Sequence, residues 1–330
     1  MKRKIFKAIL IIAGVLIIGI ASLLAYVKTA LPNVGDPQKI TIERTPERIE
    51  RGKYLANNVM VCIDCHSRRD WTLFAGPPVA GTEGQGGEVF DHKLGFPGTF
   101  IAPNITPASI GTYTDGELFR AITTGVAKDG RALFPIMPYN NFGQLAEEDV
   151  KSVIAYIRTL KPIENKTGTS EADFPMNFIM NTIPHPANFK PIPERSDLVT
   201  YGKYLVTAAS CYDCHTKQVK GEFVGEPFAG GMEFQFPDGA ILRSPNITPH
   251  STGIANWNEQ AFVNRFKSYT DTNYIPKKME AGAMQTVMPW TMYGGMTEYD
   301  LKAIYAYLQT LKPVENTIVK FSPATEKQGS

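Results

Sequence analysis

Cys62-Ile-Asp-Cys-His66 and, 149 residues further on, Cys211-Tyr-Asp-Cys-His215 decide how this chain is read. All four cysteines lie in these two pentapeptides. Two thiols three positions apart can add to the two vinyl groups on one porphyrin edge, and the next residue then lies beneath the ring with an imidazole for the iron. A zinc site would gather four ligands into one cluster, whereas these pairs are far apart in sequence. A thiol–disulfide pair needs no histidine after it, and here one follows both times. The motifs therefore predict two covalently bound haem c groups. Cys62, Cys65 and His66 hold the first; Cys211, Cys214 and His215 hold the second.

Working outward, the text around each motif is duplicated. Arg51-Gly-Lys-Tyr-Leu55 returns as Tyr201-Gly-Lys-Tyr-Leu205, and Ala102-Pro-Asn-Ile-Thr-Pro107 as Ser244-Pro-Asn-Ile-Thr-Pro249. Ala155-Tyr-Ile-Arg-Thr-Leu-Lys-Pro-Ile-Glu-Asn165 returns, 151 residues later, from Ala306 to Asn316. Matching blocks in one order at nearly one offset indicate a tandem duplication.

Each repeat is expected to open and close with a helix. Val150, Val153, Ile154, Ile157 and Leu160 form an apolar stripe at helical spacing, reproduced by Leu301, Ile304, Tyr305, Leu308 and Leu311. A Lys-Pro step ends both. Thr297 and Asp300 read as a helix cap, and Ala146 breaks that pattern in the first repeat. Between the helices the sequence is rich in Gly and Pro without two-residue alternation, which predicts small helices wrapped by loops and no sheet. The divisions are a basic tip and anchor at 1–30, a linker at 31–46, a first repeat at 47–165, a Pro-rich connector at 166–193, a second repeat at 194–316 and a loose polar tail at 317–330. Phe174, Phe178, Ile179 and Phe189 predict that the connector lies against the repeats.

The sixth iron ligand must come from elsewhere in each repeat. His92, His185 and His250 have no histidine at the duplicated position, whereas Met137-Pro138 and Met288-Pro289 each stand 18 residues before the matched Ala155 and Ala306. Thioether ligation favours ferrous iron and raises the potential. Met137 and Met288 are the candidates. Met284, Met292 and Met296 remain rivals in the second repeat, with core packing as the other use of any of them. Trp71, Tyr113, Trp257 and Arg120 are candidates for haem pockets or for ordinary packing.

Ahead of the repeats, Lys2, Arg3, Lys4 and Lys7 precede an uncharged run from Ala8 to Val27. That run is long enough for a hydrocarbon core of about 30 Å. The charge bias places the N-terminus in the cytoplasm and the body outside, at a bacterial-type inner membrane with the repeats in the periplasm. A cleaved signal peptide is the competing reading, and Gly19-Ile20-Ala21 is its tidiest site. The near balance of 34 Lys+Arg against 32 Asp+Glu argues against nucleic acid as a partner.

The order of a helix glycine, Cys-x-x-Cys-His, a Pro-Asn block, a Met-Pro loop and a final aromatic-bearing helix resembles that of class I cytochromes c, over 47–165 and 194–316. The resemblance implies a mainly α fold, an N-terminal transmembrane helix followed by two tandem class I cytochrome c domains. It also implies that the carbonyls of Pro103 and Pro245 accept the second ring N–H of His66 and His215. Pro-Asn-Ile-Thr-Pro with Gly253-Ile-Ala-Asn-Trp257 and Met-Pro is similar, more narrowly, to the cytochrome subunit of membrane-bound alcohol and gluconate dehydrogenases, a group with three haems where this chain has two motifs. The expected role is electron relay between a dehydrogenase or quinol-oxidising complex and a terminal oxidase or other acceptor. A peroxidase needs a haem that opens, and a dihaem thiosulfate dehydrogenase needs a cysteine ligand; neither suits two His/Met sites with every cysteine committed. A haem sensor would bring a signalling domain, and none is visible.

Overall fold

The computed structural model describes residues 2–324. Its first element, α1 (Lys2–Thr29), buries none of its residues, and Ile17 and Ile18 are two-thirds exposed. It is long and apolar enough to cross a membrane. The chain then runs extended to Gln38 and packs down, with Ile42 buried and its N–H donated to Asp115 Oδ2 at 2.9 Å. The predicted linker thus lies in part against the first repeat.

That repeat contains α2 (Pro46–Tyr54), continued by a π-type turn at Leu55–Val59, and α3 (Cys62–Cys65). Strands β1 (Val89–Phe90) and β2 (Gly98–Ile101) follow, then α4 (Pro107–Ile110), α5 (Asp115–Thr124), α6 (Tyr139–Phe142) and α7 (Glu147–Ile157). The connector carries β3 (Glu171–Ala172) and α8 (Met176–Ile179). The second repeat has α9 (Leu198–Ala208), α10 (Cys211–His215), β4 (Gln218–Val219), β5 (Glu222–Phe223), β6 (Glu233–Gln235) and β7 (Ile241–Arg243). It ends with α11 (Glu259–Lys267), α12 (Trp290–Tyr293), α13 (Glu298–Gln309) and β8 (Phe321–Ser322).

The opening and closing helices of each repeat cross against one another, α2 on α7 and α9 on α13. Glycine permits the contact. A Cβ on Gly52 would sit 1.8 Å from Ser152 O, and one on Gly202 1.9 Å from Ala303 O. The apolar stripes read from the sequence face inward, and one continuous core joins both pairs, from Leu55 and Val153 to Leu205 and Ile304.

Two expectations are corrected. Short antiparallel sheets are present, β1-β2-β3 and β6-β7-β8, with a separate β4-β5 hairpin. Strands of two to four residues are too short for alternation to register. The tail is not loose throughout: Arg243 N donates to Lys320 O at 2.7 Å, and β8 closes its sheet as β3 does in the first repeat. The remainder of the predicted tail, 325–330, lies outside the described residues.

The helix ends explain Ala146. Both closing helices are capped from the other repeat. The backbone N–H of Ala146, the N-cap of α7, donates to Tyr204 Oη at 3.2 Å, and that hydroxyl donates to Asp149 Oδ2 at 2.6 Å. Reciprocally, Thr297 N donates to Tyr54 Oη at 3.1 Å, and Tyr54 Oη donates to Asp300 Oδ2 at 2.5 Å. A capping box satisfies these groups within one helix; here a tyrosine on the partner repeat's first helix stands between them. Thr297 adds its own cap by accepting from Asp300 N at 3.1 Å.

Candidate haem sites

Each motif begins where the opening helix breaks. Val61 (φ +47°) and Ser210 (φ +53°) stand in the left-handed region at matching places, turning the chain so that the cysteines start a new helical turn. For the β-branched Val61 this conformation is strained. The cysteine pair of each motif lies on that turn, with the histidine at its end.

Both imidazoles are held the same way. His66 Nδ1 is 2.8 Å from Pro103 O, and His215 Nδ1 is 2.9 Å from Pro245 O. A carbonyl partner fixes Nδ1 as the protonated nitrogen and leaves Nε2 as the donor to a metal. Burial lowers the pKa of both rings, the carbonyl bond partly offsetting it, so the neutral ligand form is favoured. Burial pushes all four thiols up to about 12. A thiol–disulfide catalyst needs the opposite shift. Among the described residues no group of three or more His, Cys, Asp or Glu side chains is placed to hold a metal ion.

The proline carbonyls are themselves placed by residues the sequence reading passed over. Asn104 Nδ2 donates to Ile163 O at 2.8 Å while its Oδ1 accepts from Thr106 N and Oγ1, both at 2.8 Å. Asn246 repeats this with Val314 O at 2.8 Å and Thr248 N and Oγ1 at 2.9 and 2.8 Å. Gly86 N donates to His66 O at 2.9 Å and Gly230 N to His215 O at 2.8 Å. A Cβ on either glycine would lie 2.6 Å from the proline carbonyl oxygen, so only glycine admits the ring bond. The duplicated Pro-Asn-Ile-Thr block was the available signal for the asparagines; nothing in the spacing singled out these glycines.

Met137 and Met288 are half-buried at the edge of the core, with matching backbone bonds from Tyr139 N and Trp290 N to their carbonyls, each 2.8 Å. The rivals are placed differently. Met292 and Met296 are core residues, 9% and 1% exposed, and Met284 lies on the surface at 45%. His92 bonds Asp173 at 2.6 Å, His185 is on the surface, and His250 bonds Thr252 Oγ1 at 3.0 Å.

The aspartate inside each motif is paired. Buried Asp64 meets Arg69 at 3.0 Å, and burial still raises its carboxyl to about 6. Asp213 accepts from Asn141 Nδ2 at 2.7 Å, a bond from the first repeat's methionine loop to the second repeat's motif. Tyr293 donates to Ala209 O at 2.8 Å. Its phenol is held well above the usual range by burial first, and then by the charges of Cys211, Cys214, Asp64 and Cys65. The remaining candidates make the following contacts. Trp71 donates to Glu88 and stacks with Arg69 (4.1 Å), Trp257 packs edge-on to Phe262, Tyr113 O accepts from Arg158, and Arg120 donates to Ala127 O at 2.6 Å.

Residues 199–312 match the family model of cytochrome c. The chain is 29% identical over 289 residues to the cytochrome c subunit of alcohol dehydrogenase (quinone) from Gluconacetobacter polyoxogenes, covering 81% of this chain and 56% of that protein. It is 30% identical over 278 residues to the fructose dehydrogenase cytochrome subunit of Gluconobacter japonicus, covering 80% and 52%. A dihaem cytochrome c-type protein of Cereibacter sphaeroides is 27% identical over 267 residues, covering 77% and 83%. The chain spans about half the length of the dehydrogenase subunits it matches. The similarity to dehydrogenase cytochrome subunits expected from the Pro-Asn-Ile-Thr-Pro and Met-Pro blocks is borne out.

Proposed function

We propose that this chain, which carries a cytochrome c domain and is a homologue of dehydrogenase cytochrome subunits, is a membrane-anchored dihaem electron carrier made of two tandem class I cytochrome c domains. The observation that carries the reading is the identical support of both motif histidines, each Nδ1 held by a proline carbonyl at 2.8 or 2.9 Å. In this reading Cys62, Cys65, Cys211 and Cys214 bind two haem c groups as thioethers. His66 and Met137 ligate the first iron, His215 and Met288 the second, and α1 is retained in the inner membrane with both domains, 47–165 and 194–316, in the periplasm. The haems supply one-electron chemistry. The protein's part is to hold the rings, fix the imidazoles through Pro103 and Pro245, and keep water from the iron. Filled axial positions leave no site for substrate, so the partners are redox proteins: a dehydrogenase or quinol-oxidising complex as donor and a terminal oxidase or similar acceptor.

The test is a haem count on the purified full chain. Denaturing mass measurement should give the polypeptide plus two haems, and Cys62→Ala with Cys65→Ala should leave one. The reduced protein should be reoxidised rapidly by an oxidised cytochrome or a terminal oxidase and only slowly by peroxide. Sustained peroxidase turnover would mean that an iron opens and that the carrier reading is wrong.

A further inference from the structure

The connector carries an apolar patch that is exposed among the described residues. Phe174 is 75% exposed and Ile179 45%, although both belong to a segment held firmly in place. Asp173 N donates to Pro97 O at 3.0 Å, and β3 pairs with β2 immediately before it. Asn177 N, Phe178 N and Ile179 N close the α8 turn on Asp173 and Pro175 carbonyls. Phe174 and Phe178 meet edge to face, with ring centroids 6.1 Å apart. A rigid loop presenting Phe174 and Ile179 outward, with Phe178 half-buried beside Phe174, leaves an apolar surface that packing within the protein does not use.

What stands beside the patch is the end of α1. Lys28 Nζ donates to Asn177 O at 3.1 Å and lies 5.0 Å from the centroid of the Phe178 ring. Along the rest of α1 no side chain is buried, so its surroundings in the cell must themselves be apolar. The patch is thus continuous with the level at which α1 leaves the hydrocarbon core. That level favours aromatic rings, and a lysine there reaches up to the headgroups. The nearest carboxylate of the segment, Asp173, lies 2.6 Å from His92 Nε2.

We propose that residues 174–180 are a second membrane contact, a foot seated in the lipid headgroup layer beside α1. This rests on the reading of α1 as a retained anchor. An anchor alone leaves the exported body free to swing about one point. The foot supplies a second point on the first repeat's sheet and fixes which face of the body is turned toward membrane-embedded partners.

The experiment places the photo-crosslinker p-benzoylphenylalanine at single positions of the full, haem-loaded chain, reconstituted into phosphatidylethanolamine–phosphatidylglycerol vesicles. Position 17 reports α1, position 174 the foot, and position 275 an equally apolar side chain of the second repeat that is 84% exposed. Lipid adducts at 17 and 174 and none at 275 are expected. Lipid adducts at 17 but not at 174 overturn the foot and leave the anchor standing. Adducts at 174 to a second copy of the chain, or equal lipid labelling at 275, also overturn it. Absence of lipid adducts at 17 removes the anchor reading itself.

Discussion

At the scale of the residue, burial separates four methionines that the sequence left in competition. Met288 sits at the core's edge like its counterpart Met137, whereas Met292 is buried among apolar side chains. Met137→Ala and Met288→Ala should each remove about half of the sulfur-to-iron charge-transfer band and lower one reduction potential. Met292→Ala should keep the band and cost about 2–5 kcal/mol in unfolding free energy. Loss of the band in Met292→Ala would exchange their roles. The cysteines and histidines were legible because covalent attachment requires particular residues at particular spacing, and the proline carbonyls were legible only through the resemblance to class I cytochromes c. Gly86 and Gly230 were not, because they follow their histidines at different distances and only the folded loop brings each against a carbonyl.

At the scale of the element, the same tyrosine is a repeated letter in the sequence and a helix cap in the structure. Tyr54 and Tyr204 sit within the duplicated Gly-Lys-Tyr-Leu block, where an aromatic on a helix reads as packing. Their hydroxyls matter only once the other repeat's helix end is beside them. Tyr204→Phe leaves the Ala146 N–H without its partner and removes one hydrogen bond from Asp149, which Arg51 still holds at 2.8 and 2.9 Å. The expected loss is about 1–3 kcal/mol in denaturant unfolding, and an unchanged midpoint would show that the cap contributes nothing. The pH dependence has a definite sign. Burial, helped by the neighbouring aspartates, raises both phenols above the ordinary tyrosine pKa of about 10. Above that pH the unfolded chain gives up protons that the folded chain keeps, so stability falls as pH rises through that range. Tyr54→Phe with Tyr204→Phe should flatten the fall, read as the unfolding midpoint against pH from about 9 to 11. The small strands were invisible for a different reason: two to four residues are too few for alternation to register, and β3 and β8 join their sheets only by a return of the chain.

At the scale of the whole molecule, the repeats, the closing helices and the apolar leader could be read from the text, and the way the halves meet could not. The sequence divided the body into two repeats joined by a Pro-rich connector expected to lie against them. The structure has one core cluster, two crossed caps, and the first repeat's 72–75 loop bonded to the second through Phe74 N to Lys277 O at 2.7 Å and Met279 N to Thr72 O at 2.8 Å. Unfolding of the haem-loaded protein should therefore be a single calorimetric transition; two resolved transitions would show that the halves are independent.

The crossed caps also carry a record of descent. Tyrosine of each half to aspartate of the other is the relation that two identical subunits adopt about a two-fold axis, where a surface is its own complement. Two separate copies bearing both residues would have the means to pair with each other, and joining copies end to end makes such a pairing independent of concentration. Divergence is visible at the neighbouring position, where Arg51 grips Asp149 but its counterpart is Tyr201, and Arg195, at the start of the second repeat, reaches Asp300 at 3.2 Å instead. The connector is then a tether of convenience. A chain cut at a protease site engineered into 183–192 should still migrate as one particle, its two fragments held as the progenitors were.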